Sequence, residues 1–298
     1  VSGWNAQNNY GRIALAIAPS SENIVYALYD NFNSYPAAEA SLFKWNQSST
    51  SWTDLSTNLP NEPGGSSGND PFAVQEGYDL VISVKPDDAN IVFIGGTNIY
   101  RSTDGFTTGS NYKRIGGYAT ASSYSLYTNS HSDIHAIAFQ PGSPSIMMCG
   151  NDGGIQRTSN DLAATVAWTD VSNDYRTYQY YYVAMDPRNG NAKVIGGAQD
   201  NGTTRNVGGS GVSFEKIISG DGGAVGLSNV ISGSTYEYGS SQLGDIYRRN
   251  SSSAPNLYSA IRPTGATDDG LFITLFKLDD DNTENLYYAS DSSLYRTT

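Results

Sequence analysis

Short runs of alternating apolar and polar residues, bounded by glycine, proline or asparagine, recur throughout this chain of 298 residues. A period of two is typical of β-strands that bury one face, and no long stretch has the 3.6-residue apolar spacing of a helix. Four of the runs end at a proline: RIALAIAP at 12–19, YDLVISVKP at 78–86, IHAIAFQP at 134–141 and YYVAMDP at 181–187. The pattern predicts an all-β protein.

A second short motif recurs at roughly 50-residue intervals. Its six copies are LFKW at 42, IYRS at 99, IQRT at 155, TTRN at 203, IYRR at 246 and LYRT at 294. Together with the neighbouring runs, each copy defines four strands, A to D in chain order. Four antiparallel strands repeated at this spacing are typical of β-propeller blades. We therefore predict an all-β propeller of four-stranded antiparallel blades, five complete and a sixth partial.

The predicted blades span approximately 11–60, 78–116, 131–171, 178–218, 222–261 and 271–298. We expect them to form a single domain over residues 1–298, or a fragment of a larger propeller. The segment SGW at 2–4 is a candidate strand D, either for the sixth blade or left from a preceding one. Because the chain begins at Val1 and stops inside the repeat, we expect a piece of a longer precursor.

The charge balance narrows the function. The formal net charge is −12, whereas a nucleic-acid binder needs basic patches that displace counterions from phosphates. We therefore expect no nucleic-acid partner. No apolar run of about 20 residues occurs, so no membrane insertion is expected. The single cysteine, Cys149, lies in the apolar run SIMMC and is predicted to be buried. No motif for a nucleotide or other cofactor is present, so none is expected.

Strand direction predicts which loops share a face of the disc. Because successive strands alternate in direction, the B–C and D–A loops lie on one face and the A–B and C–D turns on the other. Four acidic or glycine-rich motifs fall on the B–C and D–A side, here called the acidic face: HSDIH at 131–135, NDGG at 151–154, QDNG at 199–202 and GDGG at 220–223. The acidic face is the predicted functional surface.

The aspartates of these motifs are the candidate catalytic residues: Asp133, Asp152, Asp200 and Asp221. An inverting glycosidase uses two carboxyl groups roughly 6.5–9.5 Å apart as acid and base, and any pair from this set is a candidate. The alternative is structural, since Asp, Asn and Gly in tight turns bond to their own backbone and tolerate positive φ.

Polar and aromatic neighbours of these aspartates are the candidate ligand contacts: His131, His135, Asn151, Tyr175, Tyr178, Gln199 and Asn201. In an extended strand, His131, Asp133 and His135 point to one side, an arrangement that suits ligand binding, acid–base chemistry or a divalent metal. The structural alternative, with the imidazoles bonded to loop carbonyls, is preferred for this segment, and no metal site is assigned. The tyrosines at the start of strand A are placed to stack on sugar rings.

The segment YRSTDGFTTG at 100–109 resembles an Asp-box, also called a BNR repeat. Ser102, Asp104 and Thr108 fit its pattern, while Phe106 replaces the expected glycine and Gly109 the expected aromatic. The order of the four acidic-face motifs resembles the BNR, sortilin-like and glycosyl-hydrolase-like propellers exported by Bacteroidetes-type bacteria. The resemblance implies a secreted protein in which the Asp-box residues tie a turn. Relatives include both xyloglucan-cleaving glycosidases with paired aspartates and peptide-binding receptors.

The leading functional prediction is a secreted or cell-surface module that binds a glycan or a protein through the acidic face. The alternative is a glycoside hydrolase that acts on polysaccharide through two of the four aspartates. A second alternative is a structural domain of an exported adhesin. The expected partners are the glycan or protein ligand and the remaining domains of the precursor. Binding leads because the sequence has no unambiguous catalytic set, and a fold alone does not fix function.

Overall fold

Strands and turns make up the regular structure of the computed structural model, which describes residues 3–4, 10–173, 178–188, 190–207, 213–253, 257–266 and 270–297. The helical elements within these ranges are two 3-10 turns, Ser56–Asn58 and Gln75–Gly77. The all-β prediction is therefore confirmed. None of the described residues belongs to a helix long and apolar enough to cross a membrane. The chain divides into two compact units, Val1–Arg176 and Thr177–Thr298.

The first unit contains three four-stranded antiparallel sheets, each with its strands in chain order. The first sheet consists of β1 (Ile13–Ile17), β2 (Ile24–Asp30), β3 (Ala40–Asn46) and β4 (Ser51–Asp54). The second consists of β5 (Val81–Val84), β6 (Val92–Gly95), β7 (Ile99–Ser102) and β8 (Tyr112–Gly116). The third consists of β11 (Ile134–Gln140), β12 (Ser143–Asn151), β13 (Gly154–Thr158) and β14 (Thr169–Asp170).

An additional hairpin, β9 (Tyr118–Thr120) and β10 (Ser123–Leu126), follows the second sheet and was not predicted. The Asn69 side-chain amide donates to the carbonyls of Thr120 and Ser123, at 2.9 and 3.1 Å. The hairpin therefore covers the long loop between β4 and β5, and its carbonyl groups accept hydrogen bonds from the buried Asn69 amide of that loop.

Two apolar clusters hold the first unit together. One lies between the first and second sheets and includes Tyr26, Leu28, Leu42, Val92, Ile94 and Tyr100. The other lies between the second and third sheets and includes Phe93, Ile99, Ile134, Met147, Cys149 and Trp168. Cys149 is buried, as expected. The second sheet thus buries both faces against its neighbours, which is the packing expected of a propeller blade.

A buried ion pair joins the second and third sheets at the end of β5. Lys85 directly follows β5, and its Nζ lies 3.0 Å from Oδ2 of Asp161, which follows β13. Lys85 Nζ also donates to the carbonyl of Pro144. Both side chains are almost completely buried, so this pair fixes the C-terminal end of β5. The acidic-face loops lie at the N-terminal end of the same strand.

The second unit contains two four-stranded sheets and one three-stranded sheet, again in chain order. The fourth sheet consists of β15 (Tyr180–Met185), β16 (Val194–Ala198), β17 (Gly202–Val207) and β18 (Ser213–Ile218). The fifth consists of β19 (Val225–Leu227), β20 (Tyr236–Ser240), β21 (Ile246–Asn250) and β22 (Ser259–Ala260). The three-stranded sheet consists of β23 (Leu275–Leu278), β24 (Leu286–Ala289) and β25 (Leu294–Arg296). A cluster around Tyr238, Phe276 and Tyr288 packs the last two sheets together.

Each of the six predicted blade ranges contains one of these sheets. The architecture is compatible with a β-propeller, while the blade number and the single domain over residues 1–298 stay predictions. No strand is assigned at Gly3 and Trp4, the described part of the SGW segment. Trp4 instead packs on the first sheet, with its ring centroid 4.7 Å from that of Phe43 and 5.0 Å from that of Trp52.

Candidate functional site

Three carboxyl groups of the first unit come together at the starts of β5 and β11. Asp79 lies two residues before β5, and Asp133 immediately precedes β11. Asp152 occupies the tight turn between β12 and β13. β12 pairs with β11, and β13 pairs with β12. Carboxylate oxygens of Asp133 and Asp152 lie within 4.8 Å of each other. Two D–A loops and one B–C loop thus contribute one acidic cluster, as the strand-direction argument expects for this unit.

The amide of Gln75 bridges two of these carboxyl groups. Its Nε2 donates to Oδ2 of Asp79 at 3.0 Å and to Oδ1 of Asp133 at 2.6 Å. The Ser132 hydroxyl donates to the other Asp133 oxygen at 3.2 Å. Gln75 takes a left-handed backbone conformation with φ 47°, and Asp133 does so with φ 62°. Such conformations are unfavourable for residues with a Cβ, so the surrounding contacts must hold these two residues in place.

Burial dominates the electrostatics of this pair. Asp79 is 0% exposed and Asp133 is 9% exposed. Desolvation, followed by the charge of Asp133, raises the pKa of Asp79 to about 8. Desolvation, followed by the charge of Asp152, also raises the pKa of Asp133. Two adjacent buried carboxyl groups resist simultaneous ionisation, so the ionised form of one favours the protonated form of the other.

Asp152 is held by an imidazole and a phenol. His135 Nε2 lies 2.6 Å from Oδ1 of Asp152, and the Tyr78 hydroxyl donates to both carboxylate oxygens at 3.2 and 3.3 Å. The Tyr78 ring also meets the His135 ring edge-on, with centroids 4.8 Å apart. The hydrogen bond to Asp152, against a smaller opposing effect of burial, raises the pKa of His135. The imidazole is therefore biased toward its charged form.

His131 takes part in the packing of the NDGG turn. Its Nδ1 lies 3.2 Å from the Ser132 carbonyl oxygen, and its own carbonyl accepts from the Asn151 amide at 3.2 Å. A Cβ on Gly153 would come within 2.6 Å of the His131 side chain, so only glycine allows the turn to approach this closely. Asn151 also accepts from the Gly153 amide at 3.1 Å. These contacts agree with the structural alternative for His131 and Asn151.

A pocket of about 590 Å³ adjoins the cluster and is lined by Asp30, Phe32, Asn33, Ser34, Glu39, Gln75 and Glu76. Asp30 is 1% exposed, and its Oδ1 accepts from the Phe32 amide at 2.9 Å. Oδ2 of Asp30 is buried without a hydrogen-bond partner in the described residues. Glu39 Oε2 accepts from the backbone amides of Val74 and Gln75, at 2.8 and 3.0 Å. The β2–β3 loop and the segment before β5 thus enclose an acidic concavity.

The two remaining candidate aspartates belong to the second unit, where they support the backbone. Oδ1 of Asp221 accepts from the Asp200 amide at 2.8 Å, and the Asp221 amide donates to Gln242 Oε1 at 2.9 Å. Asp200 itself has φ 61°. A Cβ on Gly222 would lie 2.3 Å from the Gly202 carbonyl oxygen, so QDNG and GDGG pack closely. The convergence of all four motifs on one face stays a prediction.

The candidate ligand contacts of the second unit surround these turns. Gln199 Oε1 accepts from the Tyr181 hydroxyl, and its carbonyl accepts from the Asn201 amide at 3.2 Å. Tyr178 is 53% exposed, and its ring stacks on that of Tyr180 at 6.2 Å between centroids. The tyrosine-rich start of β15 is therefore partly accessible, which the predicted stacking role of Tyr178 requires. Tyr175, the other predicted stacking residue, lies outside the described residues.

The Asp-box-like segment ties the turn between β7 and β8. The Ser102 hydroxyl donates to Oδ1 of Asp104 at 2.8 Å, and the Thr108 hydroxyl donates to Oδ2 at 2.7 Å. The Phe106 amide donates to Ser102 Oγ at 2.9 Å, and the Phe106 side chain is fully buried. These bonds are what a folding role requires, and membership of the Asp-box family stays a prediction.

Five residues of this region were missed by the sequence reasoning: Asp30, Glu39, Gln75, Tyr78 and Asp79. Asp30 follows the predicted strand NIVYAL, and Tyr78 and Asp79 begin the run YDLVISVKP, which was identified only as a strand. Their positions next to B–C and D–A loops were the available signal. Asp133 and Asp152 carry oxygens within 4.8 Å of each other, and two of their partners, Gln75 and Tyr78, come from the segment before β5.

A scan against protein-family models matches none of them, and a search of curated proteins finds no match. Among solved structures, the chain is similar to an ancestral GH74 enzyme, with 14% identity, a TM-score of 0.57 and coverage of 99% of this chain. It is also similar to the Niastella koreensis GH74 enzyme, with 15% identity, a TM-score of 0.36 and coverage of 95% of this chain.

A Xanthomonas campestris GH74 xyloglucanase is similar over 96% of this chain, with 11% identity and a TM-score of 0.27. The chain covers 43%, 44% and 46% of these three proteins, in the order named, and so spans less than half of their length. At such identities a likeness shows the fold alone. The first comparison therefore supports a glycosyl-hydrolase-like fold compatible with the predicted propeller.

Proposed function

We propose that this chain is a secreted or cell-surface propeller module that binds glycans through the loops of its first unit. The observation that carries the proposal is the pocket of about 590 Å³ lined by Asp30, Glu39, Gln75, Glu76 and Phe32. Its volume lies within the range of small-molecule sites, roughly 300–1,000 Å³. The likeness to GH74 enzymes supports a carbohydrate as the ligand class.

The side chains of this pocket suit a sugar. Carboxylate and amide oxygens accept hydrogen bonds from hydroxyl groups, and the uncharged donors of Asn33 and Ser34 serve ring and hydroxyl oxygens. Phe32 is 58% exposed at the rim, and an exposed ring packs against the C–H face of a pyranose. The excess of acceptors favours neutral, hydroxyl-rich glycans over glycans that bear carboxylates or sulfates.

Binding is preferred over hydrolysis because the predicted aspartates are engaged by the protein. Asp133 accepts from Gln75 and Ser132, and Asp152 accepts from His135 and Tyr78. Asp221 accepts from a backbone amide. A catalytic carboxyl group must contact the glycosidic oxygen or the attacking water, whereas these carboxyl groups already accept hydrogen bonds from donors of the protein.

Hydrolysis is the second candidate, and Asp30 is the observation that favours it. A carboxylate with a free lone pair beside a pocket can accept a proton from an attacking water, which is the role of the base in an inverting glycosidase. Oδ2 of Asp30 has no partner among the described residues but is buried, so this role requires that water gains access to it from the pocket. In this second candidate, Asp30 replaces the four aspartates proposed from the sequence.

A polysaccharide panel tests both candidates. The protein is incubated with neutral plant glycans, including xyloglucan, and with acidic glycans, and both retention and new reducing ends are measured. Wild type is compared with Asp30→Asn, Glu39→Gln and the control Glu22→Gln, an exposed residue of the β1–β2 turn.

We expect retention of a neutral glycan that weakens at least tenfold in the two pocket variants and is unchanged in the control. New reducing ends that disappear in Asp30→Asn would establish the hydrolase instead. Equal retention by all four proteins would refute the pocket as the binding site.

A further inference from the structure

A second pocket lies in the second unit, between the fifth sheet and the three-stranded sheet. It has a volume of about 570 Å³ and is lined by residues of β20, β21, β24 and β25 and by the segment after β22. This volume is typical of small-molecule sites, which span roughly 300–1,000 Å³. Two arginines, Arg248 on β21 and Arg296 on β25, line it together with one carboxylate, Glu284. The pocket is therefore locally positive in a chain whose net charge is −12.

The protein does not neutralise the two guanidinium groups. Among the described residues, neither Arg248 nor Arg296 forms an ion pair, although the chain has 29 acidic and only 17 basic residues. Each guanidinium lies over a tyrosine ring instead. Arg248 Cζ is 5.1 Å from the ring centroid of Tyr236, and Arg296 Cζ is 5.7 Å from that of Tyr287. Such contacts position a guanidinium while its in-plane N–H groups stay available to an anion.

The floor of this pocket is aromatic. Tyr238 and Tyr288 are 5% and 0% exposed, and the half-buried ring of Tyr295 lies 5.8 Å from that of Tyr288 between centroids. Burial raises the pKa of Tyr238, and the charge and a hydrogen bond of Arg248 oppose that rise, so the Arg248 guanidinium reaches the floor. Aromatic rings beside a cation suit a ligand that combines an apolar face with an anionic group.

Hydrogen bonds fix the walls of the pocket. The Ile261 amide donates to the Ile246 carbonyl at 2.8 Å, which ties the segment after β22 to β21. The Thr297 amide donates to the Leu286 carbonyl at 3.0 Å, and the Thr297 hydroxyl donates to the Glu284 carbonyl at 3.0 Å. The segments next to both arginines are thus held in place before a ligand arrives, and a pocket formed in advance loses less conformational entropy on binding.

We propose that this pocket binds a carboxylate-bearing sugar, such as a hexuronate unit of an acidic glycan. The N–H forks of Arg248 and Arg296 match the planar oxygens of a carboxylate. A tyrosine ring packs against the C–H face of the pyranose, and Glu284 accepts from its hydroxyl groups. The choice of a sugar as the body of the ligand rests on the proposed function, whereas its negative charge follows from the arginines alone.

The test compares two probes that differ only in charge: an oligogalacturonate and the same oligosaccharide with its carboxylates methyl-esterified. Binding to the whole chain is measured by calorimetric titration at low and high salt, for wild type, Arg248→Gln and Arg296→Gln. Both arginines are exposed, so the variants should fold, and thermal unfolding checks this. The control Lys216→Gln removes the same charge from an exposed position of β18 that does not line the pocket. Glu39→Gln, from the pocket of the first unit, separates the two sites.

We expect wild type, Lys216→Gln and Glu39→Gln to prefer the acidic probe to its ester and to bind it more weakly at high salt. Each arginine variant should lose at least about tenfold in affinity for the acidic probe, which is the contribution of one charge-assisted hydrogen bond. Absence of a preference for the acidic probe in wild type, or arginine variants that bind it like wild type, would overturn the proposal. If no neutral glycan is retained but the acidic probe binds through the arginines, the proposed function fails and this site stands.

Discussion

Replacing Lys85 with methionine tests how the first unit positions its acidic loops. Lys85 directly follows the C-terminal end of β5, and Asp79 lies just before its N-terminal end. The Lys85 Nζ lies 3.0 Å from Asp161 Oδ2. The same Nζ lies 5.6 Å from the centroid of the Phe139 ring. Phe139 lies near the C-terminal end of β11, and Asp133 lies just before the N-terminal end of that strand. One ammonium group therefore anchors the far ends of the two strands that carry the clustered carboxyl groups.

The expected cost follows from burial. Lys85 and Asp161 side chains are 4% and 0% exposed. Methionine keeps most of the apolar stem but leaves Asp161 with an uncompensated charge, and removing one partner of a buried pair costs about 3–5 kcal/mol. For a unit of this size, each kcal/mol lowers the Tm by roughly 2–4 °C. We therefore expect the Tm of the first unit to fall by roughly 6–20 °C.

The pH dependence has a defined sign. Burial raises the pKa of Asp161, and the hydrogen bond and charge of Lys85 oppose that rise. Without Lys85 the folded-state pKa of Asp161 rises further above its unfolded value. Protonation then relieves the buried charge, so the penalty of Lys85→Met is largest at alkaline pH and shrinks as the pH falls toward the unfolded value of about 4.

Thermal unfolding at pH 5 and pH 8 measures both effects for Lys85→Met, Asp161→Leu and the double variant. The double variant should recover most of the stability, because removing both charges removes the unpaired one. Asp87→Asn is the control: Asp87 lies 3.5 Å from Lys85 but is 54% exposed, so its loss should cost under about 1 kcal/mol. A Lys85→Met variant within 1 kcal/mol of wild type, or one equally destabilised at both pH values, would refute the reasoning.

Three further predictions concern single groups. Burial raises the pKa of the Cys149 thiol to about 12, so an Ellman reagent should label it only after unfolding, and rapid labelling of folded protein would contradict this. Burial raises the pKa of Asp104, but hydrogen bonds from Thr108 and Ser102 outweigh it and leave the pKa lowered; Asp104→Asn should lower the Tm at pH 7, by an amount that shrinks below about pH 3.8. Asp152 raises the pKa of His135, so the imidazole NMR signal of His135 should titrate with a pKa above about 6.5, and that pKa should fall in Asp152→Asn. The stability that this pair contributes is present below about pH 6.5 and is lost as the pH rises through the folded-state pKa of His135.

The sequence predicted the sheets more completely than the site. Alternation is a local signal, so β5 and β11 were found from their own residues, as was the position of Asp133 at the start of a strand. The partnership of Gln75 with Asp133 spans 58 residues and depends on how two sheets pack, which no local pattern records. The β9–β10 hairpin was missed because its serine-rich turn resembles a linker, and its partner, Asn69, lies in another loop.

The burial of individual side chains was the other property that the sequence did not predict. Asp30 and Asp79 follow or precede apolar runs, and an aspartate there normally marks the point where a strand reaches solvent. In this protein the loops before β3 and β5 fold back over both side chains, leaving them 1% and 0% exposed.

The backbone before β5 indicates that the fold maintains the acidic cluster at a cost. Gln75, Glu76 and Gly77 are consecutive left-handed residues, with φ of 47°, 56° and 78°, and Asp133 has φ 62°. Each such non-glycine residue costs about 1–3 kcal/mol, and glycine or asparagine would provide the same turn with less strain. At Gln75 and Asp133, that conformation delivers the amide that bridges the two carboxyl groups. Strained conformations of this kind occur at ligand sites, as the proposed binding role of these loops expects.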